Sequence, residues 1–245
     1  RMYITFKVSH YRYYVEILAE FLQYLILGLF PHALEGLFIR LFLAQCYPAH
    51  FIEPLSSFGD KLQFCPEGCW VVEDVDEGED AIGYIIFYKW NIDEFGAPAL
   101  SVPLKDQIPK NLDSNAELAL NTIWLHDTAL LPEYQGEGKI CDSVFIIPRR
   151  IGAEPRPHYK TDIFSFYCGY LTQISGILNY LNEVLEEYAR SIAVDQIYAA
   201  SVQGSFPKWQ RMGWRACPKL KKKDCYGPDA VNMEKTVPSP QTASA

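Results

Sequence analysis

Residues 124–140, Trp-Leu-His-Asp-Thr-Ala-Leu-Leu-Pro-Glu-Tyr-Gln-Gly-Glu-Gly-Lys-Ile, decide the fold of this chain. The β-branched and apolar run from Ile123 to Leu131 predicts a strand, and it carries His126 and Asp127. Pro132 ends the strand, because proline has no N–H group to donate to a sheet. The central element of the sequence is therefore a strand that leads directly into a glycine-spaced loop.

That loop contains two glycines, in the segment Gln135-Gly136-Glu137-Gly138. Glycine adopts backbone conformations that other residues avoid, which lets N–H groups approach an anion closely. A helix that begins after such a loop adds the positive end of its dipole to a bound phosphate. The segment predicts a phosphate-binding loop, and an ordinary glycine-rich turn is the alternative.

The order of strand, proline, glutamine and Gly-x-Gly resembles motif A of the GNAT acyl-CoA-dependent N-acetyltransferases, usually written Gln/Arg-x-x-Gly-x-Gly/Ala. Downstream, a predicted strand at 196–202 precedes residues 207–214, which resemble the second signature of that family, Phe-Tyr-x-x-x-Gly-Phe. Upstream, residues 46–67 and 81–90 resemble the first half of the arylalkylamine N-acetyltransferases. The motifs stand in the family's order.

The resemblance implies an α/β GNAT fold, in which helices flank a mixed, largely antiparallel central sheet. It also implies that acetyl-CoA lies where two central strands diverge. Residues 1–45 are expected to form an N-terminal strand and helical extension, residues 46–237 the acetyltransferase domain, and residues 238–245 a disordered tail. Three prolines interrupt the helix expected after the phosphate loop, and helical spacing resumes over 174–192, so an insertion is predicted at 141–172.

Between these motifs, the residue pattern predicts a helix over 52–62 and strands over 70–74 and 81–90. A hairpin is the natural connection between the two strands. Cys65-Pro-Glu-Gly-Cys69 is interpreted as the turn between the helix and the first strand, because no second pair of metal ligands lies near it.

Composition narrows the classes of partner. A net charge of −8 argues against nucleic acid and suits a cationic amine. The seven cysteines are scattered and odd in number, which favours reduced thiols in a cytoplasmic protein without a bound metal. The apolar stretch 21–34 is broken by Pro31 and is shorter than the roughly 20 residues of a spanning helix, so no membrane association is expected. The oligomeric state is left open.

His126 is the candidate general base. An aliphatic ammonium has a pKa of about 10.4 and arrives charged at neutral pH, and an imidazole can accept its proton directly or through water. Strand alternation predicts that Trp124, His126 and Leu130 share one face and that Asp127 lies on the other. The arylalkylamine enzymes carry a His-x-His pair here, and Trp124 replaces its first member. A structural histidine is the alternative for His126, and a residue that orients a neighbouring loop is the alternative for Asp127.

The resemblance implies that the end of the strand and the loop after it hold the pantetheine and the pyrophosphate, with Trp209 packed against the cofactor. The cofactor-binding residues that it implies are Leu130, Leu131, Gln135, Gly136, Glu137, Gly138, Lys139, Ile140 and Trp209. Ile140 departs from the small residue of the motif and crowds the phosphate. Trp209 replaces the tyrosine that would act as general acid and leaves Tyr226 or Ser205 as candidate hydroxyls.

Aromatic walls with a carboxylate suit an amine that bears an aromatic or aliphatic tail. The candidate acceptor-binding residues are Tyr47, Phe51, Glu53, Tyr88 and Trp90, and each has a core position as its alternative. The predicted function is acetyl-CoA-dependent N-acetylation of a small primary amine by direct attack. The alternatives are peptide or protein N-acetylation and a catalytically impaired GNAT-like protein that binds acyl-CoA or a partner.

Overall fold

The fold is described from a computed structural model over residues 45–48, 51–74, 80–100, 102–108, 120–134, 144–147, 176–221 and 223–238. The strands are β1 (Cys69–Asp74), β2 (Asp80–Trp90), β3 (Thr122–Leu130), β4 (Val144–Ile147), β5 (Gln196–Ser201), β6 (Arg215–Ala216) and β7 (Val231–Thr236). The α-helices are α1 (Leu55–Phe64), α2 (Ile92–Phe95), α3 (Leu104–Gln107), α4 (Ile177–Ser191) and α5 (Phe206–Arg211). Short 3-10 helices lie at Pro66–Gly68, Pro132–Tyr134 and Asp224–Tyr226.

The strands of the described residues form one seven-stranded sheet in the order β4-β1-β2-β3-β5-β7-β6. The central pair β3 and β5 is parallel, and every other neighbouring pair is antiparallel. This confirms the predicted fold class, a mixed and largely antiparallel sheet with helices on its faces.

Helix α4 covers one face of the sheet. Its buried residues recur at helical spacing, as in Ile177, Leu181 and Leu185, and they pack on Ile85 and Leu125 of the sheet. Burial of this apolar stripe removes large side chains from water, which is the main source of stability for an amphipathic helix. The first face of the sheet is therefore a closed apolar core.

Helices α1 and α3 lie on the opposite face. Phe58 of α1 packs with Tyr84 and Ile86 of β2, while Leu104 of α3 packs with Trp90 and other aromatic residues. Thus α1 and α4 sandwich the sheet, and polar residues buried on the α1 side are separated from the α4 core by the sheet itself.

Most predicted elements within the described residues are confirmed. The predicted strands over 70–74, 81–90, 123–131 and 196–202 and the helix over 174–192 correspond to β1, β2, β3, β5 and α4. The helix predicted over 52–62 begins at Leu55, because Pro54 precedes its first turn. The Cys65–Cys69 segment is the predicted turn, and Cys65 and Cys69 are free and buried.

Other predictions fall where the structure says little. Residues 1–44, the segment 135–143 and the tail after 238 lie outside the described residues, and the domain limits remain predictions. Within the predicted insertion, β4 pairs antiparallel with β1 and forms an edge of the sheet. None of the helices in the described ranges is both long and apolar enough to cross a membrane.

A β-bulge in β3 corrects one expectation. Leu125 pairs with Phe87 and Asp127 pairs with Ile86, so His126 is an extra residue without a paired position on β2. A bulge interrupts the alternation of side chains along a strand. The prediction that His126 shares a face with Leu130 and opposes Asp127 is wrong, because Leu130 packs in the α4 core while His126 reaches the α1 side.

Candidate functional site

The two central strands diverge in the middle of the sheet. The parallel pairing of β3 with β5 spans Ile123–Leu125 and Ile197–Ala199. Beyond it, β3 continues to Leu130 along β2, while β5 continues to Ser201 along β7. His126 is therefore the first residue of β3 after the two strands part.

His126 is held by a carboxylate from the segment before α1. Its Nε2 atom lies 2.5 Å from Oε1 of Glu53, and both side chains are almost completely buried. An ionised carboxylate has no hydrogen to donate and only accepts hydrogen bonds, so the imidazole donates from Nε2. The remaining nitrogen, Nδ1, lies 3.4 Å from the hydroxyl of Tyr88 on β2. The geometry leaves Nδ1 as the basic atom of the ring.

Glu53 has a second set of partners on its other oxygen. Oε2 accepts a hydrogen bond of 2.8 Å from Nζ of Lys61 and one of 2.6 Å from the hydroxyl of Ser57. Burial raises the pKa of Glu53, but His126 and then Lys61 outweigh it and lower that pKa to about 2. Glu53 is thus an ionised carboxylate over the whole physiological pH range.

Asp127 anchors the segment that precedes α1. Its Oδ1 accepts a 2.6 Å hydrogen bond from the hydroxyl of Tyr47, and its Oδ2 accepts one from the hydroxyl of Tyr84. The Tyr47 hydroxyl oxygen also lies 2.9 Å from the carbonyl oxygen of Thr128, so its single hydrogen is shared between the two acceptors. Burial raises the pKa of Asp127, and hydrogen bonds from the two tyrosines counter it. These contacts are those of a residue that orients a neighbouring segment.

The segment 45–48 makes a further contact with β3 through Cys46. Its thiol donates a hydrogen bond of 3.2 Å to the carbonyl of Leu130. At the end of the strand, the amide of Leu131 donates to the carbonyl of Ile82 at 2.9 Å, so this N–H is already engaged by β2. The segment 45–48 therefore lies along the second half of β3, beyond the residues that pair with β5.

The remaining candidates for the acceptor site are spread along the α1 face. Trp90 is fully buried and its indole N–H donates to the carbonyl of Gly96 at 2.8 Å. Phe51 is half-buried and its ring approaches Gly227, where a Cβ would meet it at 3.5 Å. The structure brings Glu53, Tyr88 and His126 into contact and places Tyr47 on Asp127 instead.

The candidates for the acyl-donor side are only partly described. Trp209 is buried in the α4 core with its ring 5.5 Å from that of Trp214. The predicted phosphate loop from Gln135 to Ile140 lies outside the described residues. Both hydroxyls considered as general acid are hydrogen-bonded to backbone carbonyls. Tyr226 donates to the carbonyl of Pro98 at 2.7 Å, and Ser205 donates to the carbonyl of Val202 at 2.7 Å.

Three residues of this region were missed by the sequence interpretation, namely Ser57, Lys61 and Tyr84. The signal for the first two is their spacing. Glu53, Ser57 and Lys61 follow one another at intervals of four, which would place all three on one side of the helix predicted over 52–62. A lysine on the buried side of a helix needs an anionic partner, and Glu53 is the one in register.

Comparisons with known proteins show similarity of structure only. No family model matches the chain, and no curated protein matches it in sequence. One similar solved structure is the GphF GNAT-like decarboxylase in complex with isobutyryl-CoA, with 13% identity, a TM-score of 0.48, and coverage of 85% of this chain and 96% of that chain.

Two further structures are similar. The loading GNATL domain of CurA from Lyngbya majuscula has 12% identity and a TM-score of 0.48, and the match covers 84% of this chain and 94% of that chain. Naa20 of Chaetomium thermophilum, in complex with a bisubstrate analogue, has 13% identity and a TM-score of 0.40, with 80% of each chain covered. At such identities these similarities say nothing about what this chain acts on.

Proposed function

We propose that this protein is an acyl-CoA-dependent N-acyltransferase that acetylates a small primary amine by direct attack. The observation that carries the proposal is the position of His126 at the point where β3 and β5 part. In the proposal, the thioester pairs with backbone groups of β3 and β5 beyond the point where the two strands stop pairing with each other. His126, the first residue of β3 past that point, takes the amine proton.

The base in this proposal is Nδ1 of His126. Glu53 fixes the opposite nitrogen as the hydrogen-bond donor and stabilises the imidazolium after the proton arrives. Glu53 itself is a poor base, because its pKa of about 2 leaves little affinity for a proton near neutral pH. Tyr88, beside Nδ1, is positioned to pass a proton from the amine or from a water molecule to the ring.

The acyl donor proposed is acetyl-CoA, which supplies the activated acetyl group and a thiolate as leaving group. In the proposal, the pantetheine arm lies where the central strands diverge, and the resemblance assigns the pyrophosphate to the loop from Gln135 to Ile140. In the proposal, Trp209 contributes packing on the cofactor side. In the proposal, the amine enters from the α1 side, where Phe51 is half-buried and Tyr88 contacts His126, while the fully buried Trp90 belongs to the core.

Binding and turnover test this proposal in sequence. Acetyl-CoA should raise the midpoint of thermal unfolding, and a panel of amines should then release its thiol at an amine-dependent rate. Release with N-terminal peptides but not with small amines would transfer the proposal to peptide acetylation. Stabilisation by acetyl-CoA without release by any acceptor would indicate an acyl-CoA-binding protein. A midpoint unchanged by acetyl-CoA would refute the proposal.

A further inference from the structure

Lys61 is the most deeply buried charged side chain near the site, with 2% of its surface exposed. Its ammonium group has three donors, and the structure provides three acceptors: Oε2 of Glu53 at 2.8 Å, the Ser57 hydroxyl at 2.7 Å and the Ser57 carbonyl at 3.3 Å. Burial of a charge is costly unless it is fully paired and hydrogen-bonded. Such complete pairing shows that this position is built for a cation.

The cation acts on His126 only through Glu53. Lys61 and Ser57 occupy one carboxylate oxygen, which turns the other oxygen towards Nε2 of His126. Both oxygens of Glu53 are thus hydrogen-bonded within the protein, so Glu53 does not bind the substrate in this arrangement. Contacts therefore connect Lys61 in α1, through Glu53, with His126 on β3, at the point where β3 and β5 stop pairing.

We propose that Lys61 is a positioning residue for the general base: it binds one oxygen of Glu53 and compensates the carboxylate charge, and so holds His126 with its hydrogen on Nε2 and Nδ1 as proton acceptor. This inference rests on the proposed function for its consequence in catalysis. The tautomer and charge of His126 can be measured without any turnover.

Other titratable groups face the pair formed by Glu53 and His126, and none of them is substituted in the variants below. Tyr88 faces it from β2, Asp127 adjoins it on β3 and Tyr226 faces it from the 3-10 helix Asp224–Tyr226. None of these three groups carries a positive charge, whereas Lys61 does. Removal of Lys61 therefore leaves the negative charge of Glu53 uncompensated. A nearby anion favours the protonated imidazole, which cannot act as a base.

The first measurement is the charge state of His126 by nitrogen NMR as a function of pH, with the His126→Gln spectrum for assignment. In the wild type, the neutral ring should carry its hydrogen on Nε2. In Lys61→Met, the pH at which the ring changes charge should rise by about one to two pH units, given a unit charge several ångströms away. Lys61→Arg, which keeps the charge, should restore most of this change.

Lys105→Met is the matched control, because Lys105 lies exposed on α3 and its removal takes away the same charge from the surface. If Lys61→Met does not fold, Lys61→Gln removes the same charge and keeps a side chain that can donate a hydrogen bond to Glu53. In that variant the charge transition of His126 should rise by the same amount. An unchanged His126 charge transition in Lys61→Met or in Lys61→Gln would overturn the inference.

The catalytic consequence is read separately. With an amine of low pKa, the acidic limb of kcat/KM should move to higher pH in Lys61→Met by the same amount as the NMR transition. NMR changes without any acetyl transfer in the wild type would refute the proposed function and leave the role of Lys61 standing. If Lys61→Met transfers acetyl groups with the acidic limb of its kcat/KM profile unshifted, the proposed role of Lys61 is refuted and the proposed function is not.

Discussion

His126 and Asp127 are neighbours in the chain, and both side chains lie on the α1 side of the sheet. His126 contacts Glu53, and Asp127 accepts hydrogen bonds from Tyr47 and Tyr84. Successive residues of a regular strand face opposite sides, and the bulge between Leu125 and Asp127 removes that constraint. The bulge therefore places on one side of the sheet both the proposed base, His126, and the carboxylate of Asp127 that holds the segment 45–48.

Tyr47→Phe should destabilise the fold through Asp127. The substitution removes a hydroxyl whose single hydrogen is shared between the partly buried carboxylate of Asp127 and the carbonyl of Thr128. Loss of a donor to a buried charged group costs about 1–3 kcal/mol, and chemical denaturation should show a decrease of that size. A decrease below about 0.5 kcal/mol would show that water replaces the tyrosine hydroxyl without penalty.

The stability of the fold should depend on the ionisation of Glu53. Its pKa in the folded protein is about 2, below the ordinary 4.5, so the carboxylate stabilises the fold above pH 4.5. That contribution is lost as the pH falls from 4.5 towards 2, and it amounts to about 3 kcal/mol at roughly 1.4 kcal/mol per tenfold change in proton affinity.

Denaturant unfolding between pH 6 and pH 2.5 measures this loss. The matched variant is Glu53→Gln/Lys61→Met, which removes the carboxylate together with its buried cation. Its stability should fall less steeply over the same pH interval than that of the wild type. Equal slopes in the two proteins would mean that other carboxyl groups account for the acid sensitivity.

Gly138→Glu should abolish the binding of acetyl-CoA while the protein stays folded. A carboxylate in a loop that holds a pyrophosphate repels it and fills the space that the backbone needs. Calorimetry measures the binding, and circular dichroism checks the fold. Gly59→Glu is the control, because a Cβ at Gly59 meets nothing within 4 Å and the added charge is the same. Unchanged affinity in Gly138→Glu would remove this loop from the site.

Ile140→Ala should strengthen acetyl-CoA binding. The resemblance places a small residue at this position, and in the proposal a branched side chain there would crowd the bound phosphate. Restoring the small residue should lower the dissociation constant measured by calorimetry. Equal or weaker binding would mean that the backbone of the loop already accommodates the isoleucine.

Regular elements could be predicted from the sequence because their apolar periodicity reflects burial directly. Helix α4 repeats large apolar residues at helical spacing, and strand β2 is an almost continuous apolar run buried on both faces; the structure has both elements. The face of His126 could not be predicted, since a single bulge changes no residue type. The Glu53–Lys61 pair left a trace in the sequence, because Glu53, Ser57 and Lys61 follow one another at intervals of four, but only the contact of Glu53 with His126 reveals what that pair does.

The most direct test is amine-dependent release of thiol from acetyl-CoA by the wild type and by His126→Gln, with an amine of low pKa that needs little deprotonation. The account predicts a loss of about 10²–10⁴-fold in turnover, the usual contribution of a general base, with acetyl-CoA affinity nearly unchanged. The fall in rate at low pH should flatten in the variant. Full turnover with the same pH profile in His126→Gln would contradict the account and make His126 a structural residue.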